Sequence, residues 1–172
     1  EQEGTYPLPE AQLDRFMFNI QIGYPSAEDE ARIVDATTTG DAPIVENVFT
    51  ADEVARFQRL VRRVPVSAHV TDYAVRLARA SRPTEPGAEQ YIREYVEWGA
   101  GPRASQYLVL GAKCLALLNG KPAPSANEVR AVAHSVLRHR IIPNYHATGE
   151  GIRPNDIVDW LLQHVKQPDY RS

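Results

Sequence analysis

Pro9-Glu10-Ala11-Gln12-Leu13-Asp14-Arg15-Phe16, running on into Met17-Phe18-Asn19-Ile20-Gln21-Ile22, changes backbone period within a few residues. Proline is tolerated in a first helical turn and Glu10 lies near the positive end of the helix dipole, so Pro9 to Phe16 reads as a short helix. From Phe16 onward the pattern alternates: Phe16, Phe18, Ile20 and Ile22 fall on one face, and Met17, Asn19 and Gln21 on the other. A strand alone leaves its backbone groups without partners, and no second strand of comparable quality follows. The strand is therefore expected to belong to a sheet whose other strands lie outside this chain. The opening Glu1-Gln2-Glu3-Gly4 carries neither Met nor a capping signal, and the chain reads as an excised piece of a longer protein.

Downstream the signals are helical. Ser26-Ala27-Glu28-Asp29 resembles a capping box and starts a helix that runs to about Thr38. The polar, turn-rich stretch Thr37 to Pro43 is the expected boundary, dividing residues 1–40 from an all-helical part at 41–172. There Thr50-Ala51-Asp52-Glu53 caps a helix with Val54, Phe57, Val61 and Val64 on one face, ended by Pro65. Ser67 caps the next, with Val70, Tyr73, Ala74 and Leu77 as its stripe. After a loop from Ser81 to Gly87, a shorter helix is expected to reach Trp98, where Gly99-Ala100-Gly101-Pro102 breaks the chain. Pro102 to Leu118 is apolar on nearly every side, as in a central buried helix. Ser125-Ala126-Asn127-Glu128 is a further capping box, Pro143 to Gly151 reads as a loop, and Pro154 stands near the start of a last helix carrying Ile157, Val158, Leu161, Leu162 and Val165. The class is mainly α: a short helix, one strand and a helix from the end of an α/β core, then a helical bundle.

At 43% hydrophobic over 172 residues, the chain can bury one good core and a small second one. A formal net charge of -3 supplies no field that seeks nucleic acid. No apolar run approaches the ~20 residues of a membrane-spanning helix, and the start is not a signal peptide. The single cysteine, Cys114, cannot form an internal disulfide; among Ala, Leu and Val it reads as core filling, in keeping with a cytoplasmic setting.

The run from Glu1 to Phe16 resembles, nearly word for word, the segment after sensor 1 in MoxR-type AAA+ ATPases. In that family the sensor 1 Asn stands just upstream, with the Walker motifs further upstream still, and no Gly-x-x-x-x-Gly-Lys-Ser/Thr pattern occurs here. Trp98-Gly99-Ala100-Gly101-Pro102-Arg103-Ala104-Ser105 resembles the family's sensor 2 motif, with Gly101 where Ser is usual, a change that removes a helix cap and leaves Arg103 in register. Val136-Leu137-Arg138-His139-Arg140, then Glu150-Gly151-Ile152 and Asp156-Ile157-Val158, resembles the family's C-terminal end. The resemblance thus implies that residues 1–40 close the AAA+ core and that 41–172 form its helical lid.

It also implies roles. Arg15 would be the arginine finger, acting in trans: at an element junction it can present a planar fork of donors where the γ-phosphate gathers charge. From spacing alone, a salt bridge of Arg15 to Asp14 or Glu10 competes with that role. Arg103, in the first turn of a helix opened by a proline, would be the ATP-binding sensor 2, since free N–H groups and the dipole already favour an anion there. Its plain alternative is a pair with Glu94 or Glu97. His69, His134, His139, His146 and His164 show no metal-ligand spacing, so no metal site is expected. Arg138-His139-Arg140 reads as cations complementing a helix C-terminus, or else as a nucleic-acid patch. Arg56, Arg59, Arg62 and Arg63 read as a solvated face.

The function implied is that of an ATP-driven chaperone that assembles or activates protein complexes, including metal-cofactor insertion. Its full-length form would use ATP and Mg²⁺, work as a hexameric ring, and meet a von Willebrand factor A-domain partner and a client complex. The chain alone is expected to bind neither nucleotide nor metal. The alternatives are a helical nucleic-acid-binding or protein-docking module, or the lid of another AAA+ relative such as a magnesium chelatase motor subunit.

Overall fold

The computed structural model describes residues 8–40 and 45–169, and these divide into two compact units, 8–19 with 60–169, and 20–59. In chain order the elements are α1 (Glu10–Leu13), α2 (Ala27–Thr38), α3 (Ala51–Arg63), α4 (Ala68–Ala80), α5 (Gln90–Tyr95), β1 (Val96–Trp98), α6 (Pro102–Leu118), α7 (Ala126–Leu137), β2 (Ile142–Pro143), α8 (Tyr145–Gly149) and α9 (Pro154–His164). The protein is mostly helical, with a small two-stranded sheet.

The core of the larger unit lies among α4, α6, α7 and α9. Ser67 caps α4 by accepting from Val70 N, and the expected stripe of Val70, Tyr73, Ala74 and Leu77 is buried along it. Against it α6 presents Ala104, Leu108, Gly111, Ala112 and Ala116. Four of these five are Ala or Gly, so the backbones approach closely, and Leu108 supplies the bulk; burying such a side chain contributes about 1.5–3 kcal/mol. The helix is central as expected but not apolar all round: Leu118 is exposed, and Val109, Leu110 and Cys114 are only half-buried. Ser125 and Glu128 form the predicted capping box of α7, which buries Val129, Ala133, Val136 and Leu137. Ile157, Val158 and Leu161 of α9 close the core.

Two local expectations are corrected. The helix from Gln90 stops at Tyr95, because Val96 to Trp98 pairs antiparallel with Ile142–Pro143, Val96 opposite Pro143 and Trp98 opposite Ile142. The stretch after Pro143 is not a plain loop either. Asn144 accepts from Ala147 N at 3.0 Å and so starts the short α8, while its side-chain amide holds Glu94 O.

In the smaller unit α2 begins as expected, with Ser26 accepting from Asp29 N. The Thr50–Glu53 box opens α3, and Phe49 meets Phe57 edge to face at 5.4 Å. Of the described residues from 20 to 59, all but Ala55 are exposed. The alternating stretch 16–22 forms no strand: its backbone bonds to residues outside it are Phe16 N to Leu13 O at 3.1 Å, in the turn after α1, and Asn19 N to Ser135 O at 2.8 Å, and Phe16, Ile20 and Ile22 are exposed. Alternation licenses a strand only where a neighbouring ladder takes up the backbone groups, and no described residue supplies one. The expected boundary near residue 40 abuts 41–44, outside the described residues, as does the Glu1–Pro7 part of the first motif. No helix among the described residues is long and apolar enough to cross a membrane.

Candidate arginine site

The sensor 2-like motif has a steric explanation. Ser81 and Arg82, at the end of α4, hold Ala100 by both backbone groups: Ala100 N donates to Ser81 Oγ at 2.8 Å, and Arg82 Nε donates to Ala100 O at 2.9 Å. Ala100 and Ser81 are fully buried. The approach leaves no room at Gly99, where a Cβ would lie 2.6 Å from Arg82 Cα and closer still to Ser81 O. Gly101 then occupies the N-cap of α6 without a side-chain bond, as its replacement of Ser implies, and Pro102 opens the helix. Arg103 follows in the first turn. Its base is thus clamped to α4 through two hydrogen bonds and one glycine.

Arg103 does not pair with Glu94 or Glu97. Its Nη1 lies 3.0 Å from Asp14 Oδ2, across 89 positions of chain, and both side chains are part-exposed. Asp14 caps the C-terminal end of α1 and immediately precedes Arg15. Arg15 is exposed, and its guanidinium makes no ion pair or hydrogen bond with any described residue; the salt bridge to Asp14 or Glu10 is not formed. Asp14 is taken instead by two other arginines, Arg103 and Arg140, whose Nε is 3.0 Å from Asp14 Oδ1.

The backbone around Arg15 is held throughout. Arg140 Nη2 donates to Asp14 O at 2.8 Å and Phe16 O at 2.5 Å, and Nη1 to Met17 O at 3.4 Å. Tyr107 of α6 donates its hydroxyl to Arg15 O at 3.1 Å, and its ring lies 5.1 Å beneath the Arg140 guanidinium. Phe18 rests against Gly111, where a Cβ would come within 3.2 Å of Phe18 Cζ. Asn19 N satisfies Ser135 O, so the strap of residues 14–19 also supplies a partner to a carbonyl at the C-terminal end of α7, where Arg140 Nη1 takes Val136 O.

Electrostatically the site is one carboxylate among several cations. Burial pushes the Arg140 guanidinium below its ordinary value, and Asp14 pulls back the other way. Burial also lowers His139, further disfavoured as a cation by Arg140, while a bond to Phe16 O opposes both. His139 Nε2 sits 3.0 Å from Phe16 O and 2.7 Å from Arg140 Nη1; a neutral ring can donate to the first or accept from the second, not both.

Arg138-His139-Arg140 therefore splits. Arg138 behaves as a helix-end cation, its Nε donating to His134 O at 2.9 Å. Arg140, 5% exposed, neither faces solvent nor forms a basic patch. Sequence reasoning missed Arg140 and Tyr107, and the two arginines that take Asp14, because these contacts span 89 to 126 positions. The one available signal was an arginine followed directly by the apolar Ile141-Ile142 pair. Elsewhere His134 faces Asp159, His146 lies between Glu94 and Glu150, and His164 stacks on Trp160. Among the described residues no three His, Cys, Asp or Glu side chains gather as a metal site.

Comparison with known proteins matches residues 88–160 to the AAA lid domain family. The chain is 36% identical, over all of its own length and 45% of the relative's, to Chaperone MoxR1 of Mycobacterium tuberculosis. It is 29% identical to Protein MoxR of Paracoccus denitrificans, over 98% of this chain and 53% of that one. A crystal structure from Cytophaga hutchinsonii, described provisionally as an ATPase, superposes with a TM-score of 0.89 at 33% identity, covering 98% of this chain and 52% of the other. The chain thus spans about half the length of the relatives it matches.

Proposed function

This chain belongs to the MoxR family of AAA+ proteins, as a segment carrying their lid domain, and from that premise we propose that it supplies two arginines to an ATP-hydrolysing ring. Arg15 is the arginine finger, reaching in trans into a neighbouring subunit's site, and Arg103 is sensor 2. The core ends near residue 40, and the lid runs from there to residue 172.

One observation carries this reading: the exposed Arg15 side chain has no partner among the described residues, although the backbone on both sides of it is held by hydrogen bonds. A side chain placed so, on a fixed mount, suits a group whose partner arrives from another molecule. As the bond to the γ-phosphate breaks, negative charge spreads over the transferred oxygens, and a guanidinium offers planar donors to them without proton transfer. The Arg103–Asp14 pair sets Arg103 beside the segment that carries Arg15. An exposed pair of this kind contributes about 0–1 kcal/mol, little enough for a phosphate to displace. Mg²⁺ would neutralise the phosphates in the full-length protein. The described carboxylates form no set to hold it, so its ligands are assigned to other parts of that protein and no step here runs through the metal.

The full-length protein is then a chaperone, a hexamer in the cytoplasm. It uses ATP and Mg²⁺ to assemble or activate protein complexes, metal-cofactor insertion included, with a von Willebrand factor A-domain partner. The chain alone neither binds nor hydrolyses ATP. Calorimetric titration of the chain with ATP and Mg²⁺ should show no micromolar binding. In the full-length protein, Arg15→Ala should lower turnover by on the order of 10³-fold with nucleotide affinity nearly intact. Mixing it with a variant that cannot bind ATP should restore part of the activity, because mixed rings contain interfaces with one intact finger and one intact site. Rings that demonstrably exchange subunits and yet show no complementation would defeat the trans assignment.

A further inference from the structure

We propose that Arg140 is a positioning residue for Arg15, fixing where that side chain reaches by holding the carbonyls on both sides of it. This rests on the reading of Arg15 as the finger. Arg140 spends its donors on the Arg15 segment and the end of α7: Nε on Asp14 Oδ1, Nη2 on Asp14 O and Phe16 O, Nη1 on Met17 O and Val136 O. Its side chain is 1% exposed. Burying a charge in this way is seldom a route to stability, since apolar replacements of buried ionic groups are often neutral or stabilising. What the buried fork does supply is geometry. A planar guanidinium with fixed N–H directions defines the relative placement of several acceptors at once, which a lysine, as a single point charge, cannot do. Tyr107 completes the arrangement by holding the one flanking carbonyl that Arg140 leaves, Arg15 O. The segment is thereby tied to α6 and α7 of the lid, so the finger moves with the lid.

The test uses the full-length protein and its ATP turnover. Arg140→Lys keeps the charge and loses the fork. It should lower kcat by on the order of 10²-fold, the effect of a misplacement of about 1 Å, while KM for ATP stays within about twofold. Tyr107→Phe keeps the ring under Arg140 and removes only the hydroxyl; kcat should fall roughly 3- to 10-fold. Each loss should vanish when introduced into Arg15→Ala, because a positioning residue has no effect once the group it positions is gone. The inference is overturned if Arg140→Lys turns over within about twofold of wild type, or if its loss persists undiminished in the Arg15→Ala background. Should Arg140→Lys fail to assemble, Tyr107→Phe decides: a loss that disappears in Arg15→Ala supports the proposal, and unchanged turnover overturns it. If Arg15→Ala itself leaves kcat unchanged, the finger reading is what has failed, and the role of Arg140 falls with it.

Discussion

Gly99 and Gly101 stand two positions apart, and the structure assigns them opposite tolerances. A methyl at Gly99 would meet backbone, Arg82 Cα at 2.6 Å and Ser81 C at 2.6 Å, at the end of a helix that cannot yield as a side-chain tip would. The 99–101 segment must shift instead. Forcing a methyl into a filled site costs about 1–3 kcal/mol. The shift also loosens Ala100 N from Ser81 Oγ and Ala100 O from Arg82 Nε, in a fully buried position, for about another 1–3 kcal/mol. Gly99→Ala should therefore destabilise the chain by about 2–5 kcal/mol, the two effects overlapping in part. At Gly101 a Cβ meets nothing within 4 Å, and φ of -76° with ψ of -179° suits any residue. Gly101→Ser should restore the missing cap and stabilise by a few tenths of a kcal/mol, that is ~0.3. Urea unfolding of wild type and both variants gives the comparison: a midpoint sharply lowered in the first and slightly raised in the second, with the slope unchanged. Equal midpoints for Gly99→Ala and wild type would show that the close approach of α4 to the 99–101 segment is not a constraint, and with it the account of how Arg103 is mounted.

Two further predictions concern charge. Burial alone would raise Glu128, but bonds from Lys121 Nζ and from Ser125 outweigh it and bring the carboxyl from 4.5 down to about 2. A depressed carboxyl stabilises the fold above its unfolded value and ceases to as pH falls, so stability should drop between pH 4.5 and about 2. Glu128→Gln should lower stability at pH 7 and show a flatter profile across that window; parallel profiles in urea midpoints would contradict the assignment. In the full-length protein, Arg103→Ala should erase most of the difference in hydrogen exchange over residues 102–118 between a non-hydrolysable ATP analogue and ADP, because only a ligand that distinguishes two lid positions can shift them. An unchanged difference would return Arg103 to its pair with Asp14 as a purely structural contact.

Legibility from sequence followed the range of the interaction. The caps at Ser26, Thr50, Ser67 and Ser125 were readable because each depends on residues two to three positions away. So was α6, whose limits Pro102 and Leu118 stand in the sequence as a proline and the end of an apolar run. The β1–β2 pair was missed because Val96 and Pro143 meet only through the fold, and α8 because Asn144 was read as part of a loop although asparagine is a good N-cap. The alternation of 16–22 was a real pattern without a ladder. At the site, Arg15 and Arg103 were singled out by motif, but their surroundings were not: Asp14 was weighed as a partner for its neighbour Arg15, whereas it binds two arginines far along the chain.

The contacts of residues 14–19 with α6 and α7 have a consequence for the order in which this unit assembles. They join positions separated by 89 to 126 residues, while the helices that receive them are built on short-range bonds. With those helices already formed, docking the strap still closes the loop of residues 20–59, at an entropic cost of about 3 kcal/mol. Nothing offsets that cost until several of the Arg140 and Tyr107 bonds form together. The strap therefore joins a preformed α6–α7 pair late in folding.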